Sequence, residues 1–62
     1  MKEITKECLF RPRVYCGSLN VNIFYHDIYL GSIRKGGEID RESGAEGFTI
    51  VKKHGLFEVF EK

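Results

Sequence analysis

Sixty-two residues, 42% of them hydrophobic and 31% charged, suffice for one small domain and are too apolar for a disordered chain. Ten Lys/Arg against nine Asp/Glu give a net charge of +1, without the strong basic excess usual in nucleic-acid binders; a local patch stays open. No apolar run approaches the roughly 20 residues that span a bilayer, and "MKEITKECLF" lacks a signal peptide's apolar core, so the expectation is a soluble, cytoplasmic protein without a membrane partner.

The first segment, residues 2–10, fits either a short helix or an extra strand. Ile4, Cys8 and Leu9 suit a helical face, whereas Ile4, Cys8 and Phe10 suit a strand with Lys6 as the misfit. Pro12 is expected to end either element, because it donates no hydrogen bond and biases Arg11 toward an extended conformation. "RVYC" then reads as extended.

From about 18 to 34 the chain predicts a β-hairpin. Leu19, Val21, Ile23 and Tyr25 alternate with polar residues and Phe24, and alternation resumes after His26-Asp27. A two-residue turn there sets Tyr25 opposite Ile28, Phe24 opposite Tyr29 and Ile23 opposite Leu30. Leu19, Val21, Ile23, Tyr25, Ile28 and Leu30 then share one face. Gly31 is expected opposite Asn22, leaving room for an aromatic ring to lie across it.

Residues 35–46 hold glycines and charges around a single large apolar residue, Ile39, and predict a flexible, solvated loop. A second hairpin follows over about 47–62, turning at His54-Gly55. Ile50 should face Val59, Thr49 face Phe60, and Lys52 face Phe57. Phe48, Ile50, Phe57 and Val59 share one side; Val51, Leu56 and Phe60 share the other. The predicted fold is mainly β, a small antiparallel sheet of two hairpins plus the N-terminal segment. Apolar residues on both faces of each hairpin call for cover from that segment or from another subunit.

No catalytic constellation emerges. Cys16, His26 and Asp27 can be drawn as nucleophile, base and orienter, but neighbouring strand residues point to opposite faces. Asp40, Glu42 and Glu46 share the loop, where little cover exists to raise a carboxylate's pKa. "GSIRKGG" lacks the G-x-x-x-x-G-K-S/T pattern of a phosphate loop. So short a chain also leaves little room for a pocket of about 300 Å³ or more. Cys8 and Cys16 match no C-x-x-C pattern, and their spacing to His26 and His54 is unlike the usual zinc motifs. Free thiols, no metal, no cofactor and no enzyme activity are the expectations.

"GFTIVKKHGLFEVF" resembles the glycine-aromatic strand and the following strand of cold-shock domains. The resemblance spans 14 of the 62 residues, the aromatic expected at Thr49 is missing, and in that family these strands come early. No family residue carries over. The general build (short, β-rich, with a charged glycine loop) is similar to accessory proteins of phages and mobile elements. The functional expectation is therefore a non-enzymatic accessory or regulatory protein that self-associates and binds a protein partner. Phe24, Tyr29, Arg34 and Lys35 are the partner-binding candidates, because interfaces favour aromatics and Arg. The alternative is a nucleic-acid binder that stacks bases on the same rings, with Arg11 and Arg13 nearby.

Overall fold

The computed structural model describes residues 1–62, which form seven strands and one 3₁₀ turn. The strands are β1 (Lys2–Glu3), β2 (Cys8–Tyr15), β3 (Ser18–Tyr25), β4 (Ile28–Ile33), β5 (Ile39–Arg41), β6 (Phe48–Lys53) and β7 (Leu56–Glu61). They build two antiparallel sheets, ordered β2-β3-β4-β5 and β1-β7-β6. The architecture is mainly β and contains both expected hairpins. The N-terminal segment divides: Lys2–Glu3 is strand, Thr5–Glu7 is the 3₁₀ turn, and Cys8 opens β2.

β2 and β3 form a third hairpin that the sequence did not announce. Pro12, expected to end an element, sits inside β2 opposite Val21. β2 is an edge strand with β3 as its one neighbour. Counting from the Tyr15–Ser18 pair that closes the turn, Arg13 and Arg11 bond to β3, so the Pro12 nitrogen faces outward, where no donor is needed. Cys16 and Gly17 make the turn with φ of 50° and 79°, and His54-Gly55 repeats these values. Positive φ at both central residues matches the right-handed twist of the flanking strands.

In the β3–β4 hairpin, Tyr25–Ile28 and Phe24–Tyr29 pair as expected, and then the register shifts. Ile23 faces Gly31 instead of Leu30, and Leu30 is the extra residue of a bulge. Leu30 and Ile33 are three apart, so strict alternation would send one of them outward. The bulge turns both inward, to 1% and 8% exposure. Gly31 therefore does not lie opposite Asn22, and no ring crosses it. β5 lies close beside it, pairing Arg41 with Gly31: a Cβ at Gly31 would stand 2.5 Å from the backbone oxygen of Asp40, and its φ is +146°.

Part of the segment expected as a solvated loop is ordered as β5, and it also delivers Ala45, 2% exposed, to the core. That core comprises Ile4, Ile23, Leu30, Ile33, Ala45, Ile50 and Val59 between the two sheets. The Tyr25 and Phe48 rings, 5.6 Å apart, also join the sheets. The β6–β7 register is the one the sequence predicts.

The chain passes from one sheet to the other at Ile4-Thr5. The Ile4 N–H donates to the Val59 carbonyl at 2.8 Å, and the Val59 N–H donates to Thr5 Oγ1 at 2.9 Å. A side chain thus continues a ladder that β1 abandons after Glu3. Thr5→Val should strand the N–H of fully buried Val59, cost about 1–3 kcal/mol and lower Tm by about 5–20 °C. Thr5→Ser should melt close to wild type in the same calorimetric scan. Gly31→Ala should cost about 3 kcal/mol in urea denaturation, through strain and the collision with β5. Gly44→Ala, where a Cβ meets nothing, should stay within about 0.5 kcal/mol.

Candidate functional site

The β2-β3-β4-β5 sheet covers the core with its inner face and turns its outer face to solvent. Alternation sends Leu9, Arg11, Arg13 and Tyr15 of β2 outward, beside Phe24, Asn22, Asn20 and Ser18 of β3. β4 adds Tyr29 and Ser32, and β5 adds Asp40 opposite Ser32. The Phe24 and Tyr29 rings lie 5.3 Å apart and tilted, half-buried and outside the core cluster. They pack mainly on each other and on the sheet.

At the other end of this face the lining of an open groove of about 500 Å³ includes Tyr15, Cys16, Asn20, Arg34, Lys35 and Asp40. It is a surface groove and not an enclosed cavity. Arg34 reaches Asp40 at 3.0 Å, the one ion pair in the chain. No intramolecular hydrogen bond engages the side chains of Arg11, Arg13, Lys35, Asn20, Asn22 or Ser32.

The four candidates read from the sequence fall into two pairs. Phe24 and Tyr29 touch; Arg34 and Lys35 stand past the far end of β4, about 17 Å from Tyr29 by strand rise. Arg11 and Arg13 bridge the interval, so the face is continuous across residues that the sequence left scattered. Their shared side became readable only with the β2–β3 register.

The inner face of the same hairpin carries a second feature. Beyond the reach of the β1-β7-β6 sheet, Val14 pairs with Leu19, and they are 72% and 54% exposed. Both point to the core side, yet the core ends before them. Tyr15, 71% exposed, turns to the opposite face of the same tip. Single exposed apolar residues are ordinary, whereas a cross-strand apolar pair at a projecting tip is a contiguous patch.

The catalytic sketch from the sequence does not assemble. Cys16 lies at one end of β3 and His26 at the other, about 30 Å apart by strand rise. Cys8 and Cys16 likewise flank the length of β2, and both are free thiols. No helix is long and apolar enough to cross a membrane. No protein-family model, curated protein or solved structure matches the chain.

Burial, and secondarily the Glu7 carboxylate, push the Cys8 thiol above its ordinary pKa, which lowers its thiolate fraction at any given pH. Cys16 sits exposed in the turn. An aromatic disulfide reagent at mildly alkaline pH should therefore titrate one thiol quickly and one slowly. Cys16→Ser should abolish the fast phase, and Cys8→Ser should retain it.

Proposed function

We propose that the chain is a non-enzymatic accessory protein that works by protein–protein contact, and that the contact is made by the projecting inner face of the β2–β3 hairpin. The exposed Val14–Leu19 pair carries this reading. Burying a side chain of this kind is worth about 1.5–3 kcal/mol, and the isolated subunit leaves both in water. Only 9 of 62 residues are buried, so the intrinsic core is small and association adds stability by mass action. A second copy of the chain is the occupant this argument favours, because the same deficit exists in each subunit. Pro12 supports side-chain docking over strand addition: it removes one outward donor from the free edge of β2.

Sedimentation velocity across the micromolar range tests the proposal. Wild type should show a concentration-dependent rise in sedimentation coefficient. The Val14→Asp/Leu19→Asp variant should stay monomeric and keep the Tm of dilute wild type at every concentration, since neither residue belongs to the core and only the gain from association is lost. A wild type that sediments as a monomer throughout would overturn the self-association.

A further inference from the structure

We infer that the outer face of the β2-β3-β4-β5 sheet is a binding site for single-stranded nucleic acid, separate from the apolar tip. Charge is the first ground. Arg11, Arg13, Arg34 and Lys35 border this face; of the two carboxylates at its β5 edge, Asp40 is held by Arg34, and Glu42, which shares a hollow with Tyr29, accepts the Ser43 N–H. Arg11, Arg13 and Lys35 have no anionic partner within the chain. The molecule is 19 Å across its shortest axis, against a screening length of about 8 Å at physiological salt. Carboxylates on the far side, such as Glu3 and Glu58 on the outward face of the other sheet, therefore do little to cancel this local field.

Ring placement is the second ground. Phe24 and Tyr29 lie at one end of the face and Tyr15 at the other, with Arg11, Asn22, Asn20 and Arg13 between them. Successive outward rows are about 7 Å apart, close to the step of one extended nucleotide. Unpaired bases can stack on such rings, whereas the bases of a duplex already stack on one another. The third ground is the unused polar side chains. Asn20 and Asn22, both half-buried, occupy the middle of the sheet without an internal hydrogen bond, and amides of this kind suit base edges and sugar hydroxyls.

Fluorescence anisotropy with the full chain and a labelled, mixed-sequence single-stranded oligonucleotide tests the inference. Three free cations predict that affinity falls about 20-fold for a fourfold rise in salt. Arg11→Gln/Arg13→Gln should weaken binding and flatten that dependence by about two-thirds. Tyr29→Ala should weaken binding about tenfold while leaving the salt dependence unchanged. Val14→Ser/Leu19→Ser, which removes the apolar pair without adding charge beside Arg13, should bind the oligonucleotide like wild type, which separates this face from the association surface. Circular dichroism of each variant establishes that the fold persists. No anisotropy change at low salt would overturn the inference, as would equal affinity for a duplex of the same length. Competition by polyglutamate as effective as by unlabelled oligonucleotide would assign the face to acidic proteins and overturn it too.

Discussion

The Leu30–Gly31 bulge decides what both faces of the larger sheet contain. Its extra residue allows Leu30 and Ile33, three positions apart, to enter the same core. Remove it, and the residues after Gly31 exchange sides, with Ser32 facing the hydrophobic interior and Ile33 facing water. The Leu30 carbonyl is not left idle by the irregularity, because the Glu42 N–H donates to it at 3.0 Å. That bond and the close passage of β5 beside Gly31 tie residues 39–45 to the bulge, and Ala45 reaches the core by the same route. Apolar filling and the polar outer face are thus two results of one inserted residue.

A second constraint holds the two sheets together. β1 pairs with β7 for two residues only, and then the chain must leave to begin β2 in the other layer. Such a departure would abandon the backbone of Val59 in a fully buried position. Ile4 N–H and Thr5 Oγ1 take over its carbonyl and amide, so the corner completes the ladder it interrupts. Ile4, 1% exposed, fills the space beneath the same corner. Hydrogen bonding and packing therefore locate the crossover at the same two residues.

Local signals were enough for the His26-Asp27 and His54-Gly55 hairpins. Each has β-branched or aromatic alternation on either side of a two-residue turn, and period two fixes which residues share a face. β2 was legible only as two extended pieces, because Pro12 reads as a terminator unless the strand is known to be an edge. Its inward positions, Cys8, Phe10, Pro12 and Val14, do alternate with outward ones, and Cys16-Gly17 carries the same turn chemistry as His54-Gly55. β5 has three residues and one large apolar side chain, too little for periodicity to register. The bulge left one trace, two core aliphatics at an odd spacing with glycine between them, which alternation alone discounts. Thr5 gave no local sign, since its partner is 54 residues away. Of the candidate site, the aromatics and the basic residues could be named from the sequence, but the direction of Arg11 and Arg13 comes only from the β2 register.

The two proposed surfaces share one ribbon. Along β2 and β3 the inward pairs are Pro12–Val21 and Val14–Leu19, and the outward pairs are Arg11–Asn22 and Arg13–Asn20. A strand separates these sets at no cost in length, because consecutive residues already point opposite ways. The polar pairs keep the middle of the outer face wet between its aromatic ends. The apolar tip offers a polyanion no counter-charge. Segregating chemistry by strand parity allows so short a chain to present two different surfaces while keeping a net charge of only +1.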